Sequence, residues 1–146
     1  MGPFRVIVTG VRGFTDYARL RDTLDRLLRN RLPGVVILSR CGRGTDALAT
    51  SYAVDRGLPL VPYPLDLERD RTDELAADRR NARLVADADA AVVVWDRLDR
   101  DLGELLGRCK RKGIPLRVLV RGRSGDIGPG HDQAEGSPAR PGGLPD

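Results

Sequence analysis

Five short apolar runs alternate with four segments of helical periodicity along the first 120 residues, and this alternation constrains the fold more than any other feature. The runs are rich in Val, Ile and Leu, as expected of strands that are covered on both faces. Because neighbouring parallel strands need a helical crossover, the alternation predicts a parallel sheet. The predicted strands are Phe4 to Thr9, Val35 to Ser39, Leu60 to Tyr63, Ala90 to Trp95 and Leu116 to Val120.

The segments between these runs carry helix start and stop signals. Asp16 or Thr15 is expected to cap the first helix, which carries leucines at helical spacing. Gly57 and Gly113 are each followed two residues later by proline, a pattern typical of a left-handed helix end. The remaining helices are predicted over about 46–56, 73–86 and 102–112. We therefore predict a Rossmann-like three-layer α/β domain, with a five-stranded parallel sheet in the order 3-2-1-4-5 and helices on both faces.

The chain of 146 residues is long enough for one domain, which we place at residues 1–121. Residues 122–146 contain seven Gly and four Pro and are predicted to form a disordered tail. His131, the single histidine, falls in this tail, which argues against a Ser-His-Asp or Cys-His site. One histidine and the distant Cys41 and Cys109 cannot assemble a four-ligand zinc site. No catalytic residue and no metal ligand is predicted.

The net charge of +4 is unevenly distributed and does not by itself indicate a nucleic-acid partner. Residues 1–49, 50–106 and 107–146 carry charges of +5, −5 and +4, so the middle of the chain is acidic. Nucleic acid is therefore expected to be an unlikely partner. No stretch approaches the ~20 apolar residues of a membrane span, and the first residues lack a secretory pattern. We expect a cytoplasmic protein without a membrane partner, and homo-oligomerisation stays open.

Ligands of such sheets bind beyond the carboxyl ends of the strands, where the strand order reverses, so the loops after strands one, two and four matter most. The first loop, Gly10 to Asp16, offers two glycines and Arg12, which suit either an anion or a tight turn with a surface arginine. The second loop, Ser39 to Asp46, adds Arg40 and Arg43, which suit a phosphate. Asp46 is either a helix cap or an acceptor for ribose hydroxyls.

Cys41 lies in the second loop, close to a helix start and two arginines. These neighbours favour the thiolate, so a redox role is one interpretation. A small buried or half-buried thiol is the favoured one.

Four segments resemble the SLOG superfamily in its small bacterial YspA-like branch. Val8 to Asp16 (VTGVRGFTD) is similar to the branch signature Thr-Gly-Ser-Arg-Asp-Phe-Thr-Asp, and Ser39 to Asp46 stands where the branch has Ser-Gly-Gly-Ala-Arg-Gly-Ala-Asp. An Arg-Asn pair on the third helix and a Trp-Asp pair after strand four follow in order. The resemblance covers about residues 4–120. It implies a domain that binds nucleotides or nucleotide-derived signals such as ADP-ribose, related to the LOG phosphoribohydrolases and to DprA.

The chain departs from the branch at two places. Arg40 and Cys41 replace a Gly-Gly pair, and the stretch after Trp-Asp lacks the glycines, serine and threonine of the branch pattern Gly-x-Ser-x-Gly-Thr. Asp99 and Asp101 stand in that stretch, and with Asp96 they would place up to three negative charges near the crevice. A carboxylate close to a phosphate repels it by roughly 1 kcal/mol or more. Either the ligand lies nearer the first two loops, or Mg²⁺ lies between the carboxylates and the phosphate, or the chain no longer binds the ligand. A surface acidic cluster is favoured over a magnesium site.

Two further positions carry two interpretations each. Trp95 either packs in the core or stacks on a base. The Arg80-Asn81 pair either lies on a solvated helix face or, as the resemblance implies, faces the ligand. The candidate ligand-binding residues are Gly10, Arg12, Gly42, Arg43, Gly44, Thr45, Asp46, Arg80, Asn81, Trp95 and Asp96.

The favoured function is binding or sensing of a nucleotide or nucleotide-derived, ADP-ribose-like ligand through the loops after strands one and two. A binding role is favoured over an enzyme, and no cofactor besides this ligand is expected. One alternative is a phosphoribohydrolase-like enzyme, for which Glu104 is the glutamate available after strand four. Others are DNA handling, which the few aromatics disfavour, and a scaffold without a small ligand.

Overall fold

The computed structural model describes residues 2–68 and 72–121, and strands and helices alternate through them as the sequence predicts. The predicted tail at 122–146, with His131, lies outside the described residues, so the proposed domain boundary stays a prediction. The elements are β1 (Phe4–Gly10), α1 (Tyr17–Leu27), β2 (Val35–Ser39), α2 (Thr45–Arg56), β3 (Leu60–Pro62), α3 (Asp73–Asp87), β4 (Ala90–Trp95), α4 (Arg100–Lys112) and β5 (Leu116–Val120).

The five strands form one parallel sheet in the order β3-β2-β1-β4-β5, which confirms the predicted topology. In the central pair, Val6 lies opposite Ala90 and Gly10 lies opposite Val94. The strand order reverses between β1 and β4, because β2 and β3 lie on one side of β1, whereas β4 and β5 lie on its other side. The carboxyl ends of β1 and β4 therefore flank the crevice in which such sheets bind ligands.

The helices cover both faces of the sheet. Right-handed crossovers place α1 and α2 on one face and α3 and α4 on the other, and the pairs α1–α2 and α3–α4 are in contact. The central strands are the most buried, with Val6 to Gly10 and Ala90 to Val94 shielded from solvent. None of the helices among residues 2–68 and 72–121 has the length and apolar character needed to cross a bilayer.

The helix ends follow the sequence signals. Of the two candidate caps for α1, Asp16 is the one used, since its Oδ1 accepts from the Arg19 amide at 3.1 Å. Gly57 and Gly113 end α2 and α4 in the left-handed conformation, with φ of +65° and +81°. Glycine enters this region without the steric cost that a Cβ imposes.

Lys112 connects the two helices on one face of the sheet. Its Nζ donates to the carbonyl oxygens of Val85 at 2.7 Å, Ala86 at 3.1 Å and Ala88 at 2.8 Å. These carbonyls belong to the end of α3, where the helix dipole is negative and carbonyl groups lack helical donors. The last residue of α4 thus caps the preceding helix.

We predict that Lys112→Met destabilises the protein by about 1–2 kcal/mol, because the methionine stem keeps the packing while the charged donor is lost. The measurement is urea unfolding followed by circular dichroism. Lys110→Met is the matched control, since Lys110 is exposed two residues earlier on the same helix. Equal effects of the two substitutions would contradict the capping role of Lys112.

Candidate functional site

The loops after β1 and β2 are held together at the carboxyl edge of the sheet. The Thr45 hydroxyl donates to the Val11 carbonyl at 2.8 Å, and the Thr45 amide donates to the same oxygen at 3.3 Å. Gly44, at φ +64°, packs so closely that a Cβ there would lie 1.9 Å from the Arg12 carbonyl oxygen. Only glycine fits this contact, so the start of α2 is fixed against the first loop.

Three of the candidate residues have packing roles in this contact. A Cβ on Gly10 would lie 2.6 Å from the Val94 Cβ and 2.8 Å from the Thr45 hydroxyl oxygen, so Gly10 is where β1, β4 and α2 meet. Gly44 and Thr45 join the two loops as described. These residues hold the loops in place, and contact between them and a ligand stays a prediction.

Arg12 and Arg43 extend from the two joined loops. Both side chains are exposed, and within residues 2–68 and 72–121 neither forms an ion pair or a side-chain hydrogen bond. The N-cap of α2 is Gly44, and no side chain caps this helix start. Two unpaired guanidinium groups and an uncapped helix N-terminus therefore share one edge of the sheet, which favours an anion there.

Asp46 is buried beneath this edge, with 2% of its surface exposed. Its Oδ2 accepts from the Gly42 amide at 2.6 Å, and Gly44 is the N-cap, so Asp46 is not the cap of α2. Burial raises the pKa of the Asp46 carboxyl, and the Thr9 hydroxyl, the Gly42 amide and the charge of Arg40 partly oppose this. The ionised carboxylate is thus kept in a site that disfavours its charge.

A polar cluster of Arg40, Arg80, Asn81 and Asp101 lies across the end of β1. The Asp101 Oδ2 accepts from Arg40 Nη1 at 2.8 Å and from Arg80 Nη2 at 2.7 Å. The Asp101 Oδ1 accepts from Asn81 Nδ2 at 2.7 Å. Arg40 Nε also donates to the Thr9 hydroxyl at 3.0 Å, which places its guanidinium over the carboxyl end of β1.

Burial has a direct electrostatic consequence for the cluster. The Arg80 side chain is 9% exposed. Burial lowers the pKa of its guanidinium, and the neighbouring Arg40 lowers it further, whereas the carboxylates of Asp101 and Asp46 raise it. The two carboxylates therefore offset part of the cost of burying two adjacent guanidinium groups.

The candidate set omitted Thr9, Arg40, Asp101 and Glu104, all of which contribute to this edge. Arg40 had a signal, since it is one of two arginines in the second loop. The sequence signal for Asp101 was weaker, because it was only a carboxylate next to a predicted helix start. Glu104, one turn further along α4, accepts from Asn81 Nδ2 at 2.9 Å and pairs with Arg108.

Three buried side chains at this edge each carry a polar atom without a hydrogen-bond partner among the described residues. The atoms are Asp46 Oδ1, Arg80 Nε and Asn81 Oδ1. All three residues belong to the candidate set from the sequence. Buried polar groups in proteins are nearly always satisfied, so three such atoms in one region require a physical explanation.

The acidic loop between β4 and α4 is not a shared cluster of charges. Asp96 Oδ1 accepts from the amides of Leu98 and Asp99, each at 2.8 Å, and these amides lower the pKa of its carboxyl. Asp99 caps α4 by accepting from the Leu102 amide at 2.9 Å. With Asp101 bound to arginines, each of the three carboxylates has a separate role among the described residues, and the expected surface acidic cluster is wrong.

Trp95 stabilises the same loop. Its Nε1 donates to the Asp99 carbonyl at 3.0 Å, and a Cβ on Gly103 would lie 3.3 Å from its ring. The ring therefore packs against the first turn of α4. Of the two interpretations, packing describes its contacts, and stacking on a base stays a prediction, as does contact between Asp96 and a ligand.

In the part of the chain that the structure describes, two non-glycine residues adopt the left-handed conformation, Cys41 with φ +67° and Arg97 with φ +68°. Both stand where the YspA-like branch has glycine. The backbone has the geometry that glycine adopts freely, although a side chain is now present at each position, at a cost of about 1–2 kcal/mol. Cys41 is exposed, so its expected burial is wrong.

We predict that Arg97→Gly stabilises the protein by about 0.5–1 kcal/mol, because relief of the left-handed strain exceeds the added entropy of the unfolded chain. Thermal and urea unfolding measure the effect. Arg97→Ala removes the same charge but keeps a Cβ, so it is the matched control. A gain in the alanine variant equal to that in the glycine variant would exclude backbone strain as the cause.

We predict that Asp46→Asn raises the stability at neutral pH, because the amide keeps an acceptor for Gly42 and removes a buried charge. A carboxyl with a raised pKa in the folded state favours folding when protonated, and this contribution is lost as the pH rises above its ordinary value of 3.8. The difference between variant and wild type should therefore grow between pH 4 and pH 7 in urea titrations. A difference independent of pH would contradict this assignment.

Comparison with known proteins gives a family match that includes the two joined loops, and solved structures with the same fold. Residues 4–69 match the model of the YspA, cpYpsA-related SLOG family, YAcAr, so the match includes both joined loops. No curated protein sequence matches the chain.

Two solved structures share the fold. DNA processing protein A (DprA) from Streptococcus pneumoniae has a TM-score of 0.61 at 15% identity, over 84% of this chain and 52% of that one. DprA from Helicobacter pylori, described for its single-stranded DNA binding mode, has a TM-score of 0.60 at 20% identity, over 86% and 69%.

The chain thus spans about half the length of the Streptococcus pneumoniae protein. At these identities the likeness is one of fold. The family match over the first three strands, together with this shared fold, supports membership of the SLOG superfamily.

Proposed function

We propose that the protein binds a nucleotide or nucleotide-derived ligand of ADP-ribose-like chemistry at the carboxyl edge of its sheet. The ligand would lie against the joined loops after β1 and β2, with its phosphate near Arg12 and Arg43 and its sugar towards Asp46. Membership of the SLOG superfamily and the DprA-like fold support binding of a nucleotide-related molecule.

The observation that carries the proposal is the set of unpartnered buried atoms. Among residues 2–68 and 72–121, Asp46 Oδ1 is an acceptor without a donor, and Arg80 Nε is a donor without an acceptor. A sugar hydroxyl can donate to the first, and a phosphate oxygen can accept from the second. A sugar phosphate carries both kinds of group, so the proposed ligand has the chemistry to partner both atoms.

Arg12 and Arg43 contribute differently. Because they are exposed and unpaired within the described residues, they offer positive charge at the rim without first having to leave a partner. Such charges mainly raise the rate of encounter with an anionic ligand, and their effect weakens with salt. The uncapped start of α2 adds amide donors beside them.

A nucleotide-processing enzyme is the alternative within the same ligand class. It would depend on Glu104, whose Oε2 is already paired with the Arg108 guanidinium and whose Oε1 faces Asn81. A carboxylate held in this way is poorly placed to accept a proton, so binding without catalysis is favoured. Release of free base from AMP would reverse this preference.

Nucleic acid is a second candidate partner because the Helicobacter pylori DprA is described for its single-stranded DNA binding mode. Arg12 and Arg43 would then contact backbone phosphates. Fluorescence anisotropy with a labelled oligonucleotide tests this, and true binding should weaken steeply between 50 and 200 mM salt. A tighter association with the oligonucleotide than with any nucleotide would favour this candidate.

We predict that one member of a panel of AMP, ADP, ADP-ribose, NAD and cyclic nucleotides raises the thermal unfolding midpoint. A ligand at 100 times its Kd stabilises the folded state by ~2.7 kcal/mol. Each compound is measured with and without Mg²⁺. Asp46→Ala should abolish the shift, since the acceptor for the sugar is lost, and Arg43→Ala should reduce it.

The matched control is Arg29→Ala. Arg29 is an exposed arginine in the connection from α1 to β2, at the opposite edge of the sheet. This variant should keep the full ligand response. If no compound shifts the midpoint of the wild-type protein, the proposed function is wrong and the scaffold interpretation gains.

A further inference from the structure

The side chain of Asp101 occupies a position in which proteins commonly bind an anionic group of a ligand. Donors from two separate elements converge on it: Arg40 follows β2, and Arg80 and Asn81 lie on α3. All three distances are between 2.7 and 2.8 Å, the range of charge-assisted hydrogen bonds. Two guanidinium forks and an amide around one centre form a donor set suited to phosphate.

Asp101 does not have this position because α4 needs it. The cap of α4 is Asp99, which accepts from the Leu102 amide. Asp101 is the second residue of the helix, and its side chain points away to the donors on the other elements. Its pairing with Arg40 and Arg80 is therefore separable from the formation of the helix.

The carboxylate satisfies the donors incompletely. It offers two oxygens, and Arg80 Nε remains buried without an acceptor. A phosphate group offers at least one more oxygen to the same guanidinium. The Arg80 side chain is 9% exposed, whereas that of Asp101 is 32% exposed, so the carboxylate lies on the solvent side of the donors and can rotate outwards.

We propose that Arg40, Arg80 and Asn81 form an anion subsite that Asp101 occupies in the free protein, and that a phosphate group of the ligand binds there by displacing the Asp101 carboxylate. This inference rests on the proposed function, because the subsite lies on the same edge of the sheet. Asp101 then sets both selectivity and affinity. Ligands without an anionic group at this position have no means of displacing it.

The Asp101 carboxylate competes with phosphate for the same donors, so it weakens phosphate binding by a definite factor. If the carboxylate is displaced in one molecule in ten, the apparent affinity for phosphate falls about tenfold, since only that fraction is competent to bind. Removing the carboxylate removes this factor. It also leaves two buried guanidinium groups without their acceptor, which lowers stability until an anion replaces it.

The test compares Asp101→Asn with the wild-type protein, using inorganic phosphate as the probe and chloride at equal ionic strength as the reference. Asp101→Asn should be less stable in chloride, and phosphate should restore its unfolding midpoint. Its affinity for phosphate by calorimetric titration should be at least about tenfold tighter than that of the wild type. Asp101→Ser, with a shorter neutral side chain, provides a second variant if the first fails to fold.

Two controls separate this effect from a general change in charge. Asp22→Asn makes the same charge change on an exposed residue of α1, 55% exposed at its side chain, and should leave phosphate affinity unchanged. Adding Arg80→Gln to Asp101→Asn should abolish the gained affinity. A phosphate affinity of Asp101→Asn equal to that of the wild type or of Asp22→Asn would overturn the proposal.

The experiments distinguish failure of the anion subsite from failure of the proposed nucleotide binding. Phosphate binding gained in Asp101→Asn, with no nucleotide response in any variant, supports the subsite and contradicts the nucleotide ligand. A nucleotide response in the wild type, with no phosphate gain in Asp101→Asn, supports the function and contradicts the subsite.

Discussion

A charged guanidinium cannot be buried without a partner, and this constraint organises the carboxyl edge of the sheet. Arg80 lies on α3 beneath the crevice, and its charge is compensated by the carboxylates of Asp101 from α4 and Asp46 from α2. Arg40 adds a second positive group beside it, so the carboxylates are needed to hold like charges together. The polar cluster thereby links α3 and α4 to the loop after β2, in addition to their apolar packing.

The apolar sheet and this polar edge make different contributions. The buried strands β1 and β4 supply the hydrophobic stabilisation that holds the fold. The edge contains a carboxyl whose ionised form is disfavoured and three buried polar atoms without partners. Sites of this kind reduce stability and are retained where a ligand supplies the missing interactions. Under the proposed function, stability and ligand binding oppose each other at this polar edge.

The departures from the YspA-like branch are of two kinds, one that concerns backbone conformation and one that concerns side-chain chemistry. Cys41 and Arg97 have the left-handed backbone that glycine adopts freely, at positions where the branch pattern has glycine. At the start of α4 the change is chemical instead, because Asp101 brings a carboxylate to the donors of Arg40 and Arg80.

The sequence by itself determined the order of strands and helices, the strand order of the sheet and the left-handed ends at Gly57 and Gly113, because these depend on local periodicity and backbone preference. It also identified both loops that meet at the carboxyl edge. Only the tertiary structure decided that Asp101 pairs with Arg40, 61 residues away, and that Asp46 lacks one donor. Such pairings depend on distances across helical crossovers, which no local pattern encodes, since charged side chains choose partners by proximity and burial.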